Sequence, residues 1–276
     1  MKADAITLPR RERPNWITVI VLLGFHLGAI GALFTFSWRA LAVTVVLYWM
    51  TIGLGISLGY HRLHTHRSYV VPLPLEYFFA LCGTLTLQGG PMFWVATHRI
   101  HHHKPDQPGD PHSPREGAWW AHLGWILFGG ANHKNTAMLN RFAPDLAKHP
   151  FYVWLTKYHW VPTIVLAAGL FVWGGLPLVL WGICLRIVVG LHSTWLVNSG
   201  THMWGRRRFD TIDDSRNNWW IALITFGEGW HNNHHAHPTS ARHGLAWYEV
   251  DLSWILLRVL EFFGIARAVR VAKIEV

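Results

Sequence analysis

Histidines are the residues of this chain whose type and spacing could carry chemistry. The stretch 227–235, GEGWHNNHH, places His231, His234 and His235 at i, i+3 and i+4, which puts three imidazoles on one face of a helix. The stretch 98–103, HRIHHH, repeats this register in His98, His101 and His102. Neutral imidazole is the commonest protein metal ligand, and so many nitrogens favour a first-row transition metal over magnesium or calcium. The sequence therefore predicts a multi-histidine metal centre.

A third cluster, HRLHTH at 61–66, leaves its ligands open. His61 and His66 are five residues apart, about 140° around an ideal helix, so they share a metal only if the helix ends or distorts there. Periodicity alone favours His61 with His64. The two cysteines, Cys82 and Cys184, stand far apart, which excludes a disulfide framework and a cysteine-bound metal site.

Other polar residues near the clusters have alternative roles. Metal-bound imidazoles usually donate their second ring N–H to a carboxylate, and Glu228, Asp106 and Asp110 are candidates for that acceptor. His26 and His192 fall inside apolar runs, where ionisable groups usually face the interior of a helix bundle, and we expect them not to be ligands. Five more histidines could contact the substrate or the metal ligands: His103, His112, His122, His237 and His243.

The composition indicates a membrane protein. Half of the 276 residues are hydrophobic, with 18 Trp and 14 Phe, and only 14% are charged. The net charge of +9 would also suit nucleic acid, but in so apolar a chain the membrane surface is the expected partner and nucleic acid is not.

Four stretches are long and apolar enough to be transmembrane helices: 16–36, 40–60, 154–173 and 178–197. They form two hairpins. A signal peptide is the alternative for the first stretch, but no small-residue cleavage site followed by polar sequence appears. The stretch 73–87 is predicted to be an interfacial or re-entrant helix, and an amphipathic helix is expected over 252–263.

The distribution of basic residues predicts the orientation. Residues 1–15 carry four Lys and Arg, 61–151 carry eight and 202–276 carry nine, whereas the two hairpin loops carry only Arg39. By the positive-inside rule, both termini and the histidine-bearing segments 61–151 and 202–276 face the cytoplasm. We therefore expect a single all-α domain over 1–276, with four transmembrane helices and a cytosolic helical cap.

The motifs HRLHTH, HRIHH, NSGTH and GEGWHNNHH, in this order between two hairpins, resemble those of the membrane-bound acyl desaturases of the stearoyl-CoA desaturase type. The match covers about 58–247. The stretches QGGP and DDSRNNWW resemble the bacterial, cyanobacterial and plant branch of that family. The animal acyl-CoA enzymes have charged residues before the second histidine motif, whereas 89–97, GGPMFWVAT, has none. The acyl carrier, CoA or a lipid, is therefore left open.

The resemblance implies a di-iron centre bound by nine histidines: His61, His66, His98, His101, His102, His202, His231, His234 and His235. The family has a different residue where His64 stands, which favours His66. Asn198 matches an asparagine that contacts a metal-bound water, and Trp195 matches a tryptophan of the substrate site. Trp49 and Gly53 match positions at the end of the acyl tunnel, and Arg186 matches a family arginine expected to be a headgroup or structural contact.

The resemblance also implies the reaction. Two Fe²⁺ ions, O₂ and two electrons remove two hydrogens from neighbouring carbons, which introduces a cis double bond at the delta-9 position of a saturated acyl chain. The electrons must come from a separate ferredoxin, rubredoxin or cytochrome b5-like protein. Arg206, Arg207 and Arg208 would either dock an acidic donor or contact lipid headgroups.

Two other functions compete with desaturation. A membrane hydroxylase would use the same histidine motifs to insert oxygen. A non-enzymatic metal transporter or haem-binding protein would need its histidines along a path inside the spans, whereas here they cluster beyond the span ends.

Overall fold

The computed structural model describes residues 13–129 and 135–273. Every regular element within these residues is helical, and their only β pairing is a set of isolated bridges such as that between Val70 and Arg267. The described part of the chain therefore confirms the all-α prediction. Lys2, Arg10 and Arg11, which contributed to the predicted orientation, lie outside the described residues.

Ten helices build the fold of the described residues. In chain order they are α1 (Trp16–Ala32), α2 (Trp38–Thr65), α3 (Leu73–Thr84), α4 (Pro91–His103), α5 (Thr136–Phe142), α6 (Pro150–Lys157), α7 (Val161–Met203), α8 (Trp219–Ile224), α9 (His231–Ala236) and α10 (Leu252–Phe262). Short helical turns occur at Pro114–Glu116, Trp120–Gly124, Trp125–Leu127 and Leu146–Lys148. The amphipathic helix predicted at 252–263 is confirmed as α10.

Two helices, α2 and α7, are long and apolar enough to cross a membrane. The helix in the predicted span 16–36 is shorter, because α1 ends at Ala32 and the hydroxyl of Ser37 then caps α2 by accepting from the Ala40 N–H. The predicted span 154–173 was wrong at its start. There α6 ends at Lys157 and α7 begins at Val161, since Tyr158 is not helical and Pro162 suits a first helical turn.

Helix α7 consists of two arms joined at Gly174 and Gly175. Gly175 has φ +70° and ψ −164°, a conformation that essentially only glycine adopts. A Cβ atom on Gly182 would lie 2.8 Å from Cδ1 of Leu170, although twelve residues of continuous helix would separate the two by about 18 Å. The two arms therefore pack against each other as a helical hairpin.

The buried core surrounds the second half of α2. Ile52, Ile56 and Tyr60 pack with residues of α4 and α6, and Leu54 and Leu58 pack with α10. Where α2 meets α3, a Cβ on Gly55 would lie 2.3 Å from the Gly83 backbone nitrogen, so the two backbones are in direct contact. This packing holds the end of α2, and with it the first histidine motif, in a fixed position.

Candidate metal centre

Two groups of buried or half-buried histidines lie beside each other where α2, α4, α7 and α9 meet. In each group, the candidate ligand atoms all lie within 4.8 Å of one another. The five-histidine cluster contains His61, His66, His98, His102 and His234, and the four-histidine cluster contains His101, His202, His231 and His235. The structure thus brings together all nine histidines that the motifs singled out.

The end of α2 brings His61 and His66 together by changing its helical type. From Trp49 to Thr65 the helix is π-helical, and the His66 N–H donates to the His61 carbonyl at 3.1 Å. Because a π-helix closes i→i+5 hydrogen bonds, residues five apart stack on one face. The two imidazole centroids lie 4.8 Å apart, whereas the His64 ring packs on Tyr152 outside the cluster.

Helices α4 and α9 each supply both clusters. In α4, His98 and His102 contribute to the five-histidine cluster and His101 to the four-histidine cluster. In α9, His234 faces the former, while His231 and His235 face the latter, which His202 at the end of α7 completes. The three histidines of each i, i+3, i+4 motif thus belong to two neighbouring clusters and not to a single one.

Carboxylates hold the second ring nitrogen of four of these histidines. Nδ1 of His61 lies 2.5 Å from Glu228, that of His101 lies 2.8 Å from Asp110, and that of His202 lies 2.9 Å from Asp106. The fourth pair was missed in the sequence: Nδ1 of His235 lies 3.0 Å from Asp213. The only signal for Asp213 was its place in the stretch DDSRNNWW.

The donor set fits metal ions. In their neutral forms His101 and His235 each donate Nδ1–H to a carboxylate, so their Nε2 atoms, 3.3 Å apart, present lone pairs to each other. Nε2 of His234 likewise lies 3.1 Å from Nε2 of His61 and 2.9 Å from Nε2 of His102, and the buried Nε2 atoms of His66 and His202 have no hydrogen-bond partner among the described residues. Converging lone pairs and unsatisfied buried nitrogens are costly without a cation between them.

The electrostatics of the site favour neutral imidazoles. Burial, followed by the neighbouring imidazoles, lowers the pKa well below the usual histidine value for His66, His98, His102, His231 and His234. Burial lowers the pKa of His235 to about 4, although the hydrogen bond to Asp213 opposes that shift. Burial alone would raise the pKa of the Asp110 and Asp213 carboxyls. The paired histidines outweigh that effect, so the pKa of both carboxyls falls below its usual value and both stay ionised. These histidines are ready to bind metal at neutral pH.

A cavity of about 530 Å³ leads to the clusters from the start of α1 and α7. It is lined near the metal site by Trp94, His98, Trp195 and Asn198, and at its other end by residues such as Trp160. A second, smaller cavity of about 40 Å³ lies beyond and shares Trp94, His98, Thr194 and Asn198 with the first. Its further wall is formed by Ile52, Ile56 and Thr225.

The remaining predicted substrate residues lie outside these walls. Trp49 and Gly53 do not line either cavity within the described chain; a Cβ on Gly53 would contact Trp49 at 3.3 Å and Phe226 at 3.4 Å. Arg186 is buried in the bundle, donates to the Gly182 carbonyl and is 3.3 Å from the Thr51 hydroxyl.

Several other histidines surround the clusters. His243 lies 3.3 Å from Glu228, and His112, which also lines the larger cavity, lies 3.7 Å from Asp110. Away from the metal site, His192 bridges His26 at 3.1 Å and His122 at 3.0 Å, so three imidazoles form a chain between α1, α7 and the 120–124 turn. His103 and His237 contribute to neither of the two clusters.

Comparison with known proteins agrees with this geometry. The sequence model of the fatty acid desaturase family matches residues 36–268. The sn-1 stearoyl-lipid 9-desaturase of Anabaena variabilis is 50% identical, over 97% of this chain and 98% of that enzyme. The sn-1 stearoyl-lipid 9-desaturase of Synechocystis is 44% identical, over 93% of this chain and 80% of that enzyme.

A plant relative has a different substrate in its name. The acyl-CoA 5-desaturase of Anemone leveillei is 44% identical, over 92% of this chain and 78% of that enzyme. The family model covers most of the chain and these relatives match nearly all of it, so the chain belongs to the fatty acid desaturase family and is an oxidoreductase of lipid metabolism.

Proposed function

We propose that this enzyme is an O₂-dependent di-iron desaturase that introduces a cis double bond at the delta-9 position of a saturated, lipid-linked acyl chain. The observation that carries the proposal is the convergence of nine imidazoles into two adjacent clusters at the end of an apolar cavity. The 9-desaturase names of the cyanobacterial relatives support the position of the double bond.

The chain's residues bind and orient the reactants. When bound, two iron ions and O₂ supply an oxidant strong enough to break an unactivated C–H bond, which no side-chain base can do. The nine histidines hold the ions, and Glu228, Asp106, Asp110 and Asp213 fix the orientation of four of those imidazoles. Asn198, which lines both cavities, is positioned for a water at the metals.

The larger cavity provides an apolar path for the acyl chain to the metals, and the smaller one, which His61, His101 and His231 line together with Ile52 and Ile56, is the space beside them. Trp94, Thr194 and Asn198 line both, so a chain that passes from the larger to the smaller brings one carbon pair beside the clusters. Trp195 forms a buried wall of the larger cavity, and Trp49 and Gly53 lie on α2 close in sequence to Ile52, which lines the smaller one. The position of the double bond then follows from how much of the chain extends beyond the metals.

The larger cavity favours a lipid-linked substrate over an acyl-CoA. Among the described residues that line it, none carries a formal charge with histidine neutral, and its outer end is formed by Asn15, Ile17, Trp160 and Ile164. CoA has several phosphates, which proteins usually bind with Arg or Lys. An uncharged entrance at the ends of two apolar helices suits a glycerolipid that enters from the side.

The proposed topology has four membrane spans and a cytoplasmic cap. The break at Gly174 and Gly175 divides α7 into two arms, and Arg39 in the first turn of α2 donates to the Trp173 carbonyl at 3.0 Å, so the start of α2 and the break in α7 lie at one end of the bundle. The outer face of α1 exposes large apolar side chains, which suits contact with lipid: Ile17, Ile20, Leu23, Leu27 and Ile30.

The electron donor is a separate protein. The exposed residues Arg206 and Arg208 lie on the loop that also carries Asp213, whose carboxylate contacts the ligand His235. An acidic ferredoxin, rubredoxin or cytochrome b5-like protein would be steered to such a surface. Docking there would bring the donor close to the four-histidine cluster.

Expression in a host without its own desaturase tests the proposal. We expect new monounsaturated chains in the glycerolipids, with the double bond at the ninth carbon, and their loss in His102→Ala and His235→Ala. His149→Ala, at an exposed histidine outside both clusters, is the matched control. An isotopic stearoyl label should enter glycerolipid before it becomes unsaturated; desaturation of the CoA pool first would reject the lipid-linked substrate. Hydroxylated chains in place of alkenes would identify the hydroxylase.

A further inference from the structure

Helix α10 has an apolar face that nothing in the described chain covers. Ile255, Val259 and Phe262 lie on one side at spacings of four and three residues, and Phe262 is 84% exposed. Phe263, whose ring contacts Phe262, extends this exposed apolar surface at the end of the helix, and Trp247, shortly before the helix in sequence, is also exposed. An exposed apolar helix face of this kind marks an interaction surface and is not ordinary surface variation.

The opposite face of α10 shows at what depth this surface lies. Leu257 is fully buried and packs in one cluster with Leu54 and Leu58 of α2, and Met50 joins the same cluster. Leu54 is eleven residues before the end of α2 at Thr65. Helix α10 therefore runs beside the part of α2 that lies within the proposed membrane span.

We infer that the outer face of α10 is seated in the cap-side leaflet of the bilayer, between the headgroups and the acyl chains. The inference rests on the proposed topology, in which α2 crosses the membrane. Basic side chains follow the helix, as a phosphate-rich boundary requires, and all three are exposed: Arg267, Arg270 and Lys273. The exposed Trp247 is of a residue type that is enriched at membrane interfaces.

The lipid contact bears on the metal centre through a buried network. Asp251 caps α10 by accepting from the Trp254 N–H at 2.9 Å, and both of its oxygens lie 3.0 Å from Arg62. Arg62 donates in turn to Glu228, and Glu228 holds Nδ1 of His61. Lipid that packs against α10 would thus also support the position of Glu228, the carboxylate that orients His61.

Cysteine accessibility tests the inference without any need for activity. Ile255→Cys and Val259→Cys are made in the full chain, reconstituted in vesicles that contain lipids brominated along the acyl chain; the unsubstituted chain, with Cys82 and Cys184, is the blank. Asp210→Cys, at a fully exposed side chain, is the matched control. We expect a membrane-impermeant maleimide to label both α10 variants at least tenfold more slowly than the control. A permeant fluorophore on them should be quenched by the brominated chains.

Three other outcomes would overturn the inference or its basis. Labelling of the α10 variants at the control rate would mean that this face contacts water. Oxidative cross-linking of Val259→Cys into dimers would assign the face to a second copy of the chain. Release of the whole protein from membranes by alkaline carbonate would instead reject the proposed topology, so the two failures are distinguishable.

Discussion

Asp213 accepts a hydrogen bond from Nδ1 of His235 at 3.0 Å, and the neighbouring Asp214 N–H donates to Asp106, which holds His202. One short loop thus supports two of the four histidines of a cluster. Because this loop also carries the exposed Asp214 side chain, it offers a matched pair of variants, one buried and one not.

We expect Asp213→Asn to lower metal affinity at the four-histidine cluster by roughly 10- to 100-fold, the usual effect of losing a carboxylate that orients a ligand. Asp214→Asn disturbs only the exposed ion pair with Arg115 and should leave the metal affinity of that cluster unchanged. Metal content per chain, measured by mass spectrometry during a chelator titration, checks this. Equal retention in the two variants would contradict the role given to Asp213.

Phe226 is expected to limit the length of the acyl chain. It has φ +57°, an unfavourable conformation for a bulky residue, and its ring would lie 3.4 Å from a Cβ on Gly53, behind the smaller cavity. Phe226→Ala should shift the products toward longer chains while the double bond stays at its distance from the carboxyl end. Trp49→Ala, at the other ring beside Gly53, is the comparison. Gas chromatography of the fatty acids would show which of the two substitutions lengthens the products, and an unchanged chain length in Phe226→Ala would contradict the prediction.

Gly55→Ala should destabilise the fold, because its new Cβ would lie 2.3 Å from the Gly83 backbone nitrogen. Overpacking of this kind costs about 1–3 kcal/mol, and more where only backbone can move. Gly24→Ala on α1, where a Cβ would meet nothing within 4 Å, is the control. Thermal unfolding in detergent should show a lower midpoint for Gly55→Ala alone; equal midpoints would mean that α2 and α3 separate easily.

The metal-free protein should lose stability in mild acid. Burial lowers the pKa of His235 to about 4 and that of His112 to about 3, so between these values and 6.5 the unfolded chain binds protons that the folded chain does not. The free energy of unfolding should therefore fall as pH falls from 7 toward 5, by roughly 1 kcal/mol per pH unit for each such histidine. The unfolding midpoint of the metal-free protein, measured from pH 7 to pH 5, checks this. A midpoint that stays constant or rises as the pH falls would show that these histidines are solvated.

The sequence predicted the site better than the path that leads to it. The i, i+3, i+4 spacing singled out six of the nine clustered histidines directly, because regular helices bring residues at such spacing to a shared face. His66 needed the family resemblance, since a π-helix cannot be foreseen from a 3.6-residue period. Asp213 was missed because a carboxylate that reaches His235 from another segment has no local pattern. The start of α7 was misplaced because hydropathy alone does not register the break at Tyr158.

Helices α4 and α9 each send side chains to both histidine clusters, and this division links the two sites mechanically. The histidines that hold the first ion would fix the position of α4 and α9, and so also of the imidazoles that would hold the second ion. Loading should therefore be cooperative, with chains carrying either a full pair or nothing. Enzyme prepared with half an equivalent per chain would then be a mixture of complete and empty molecules.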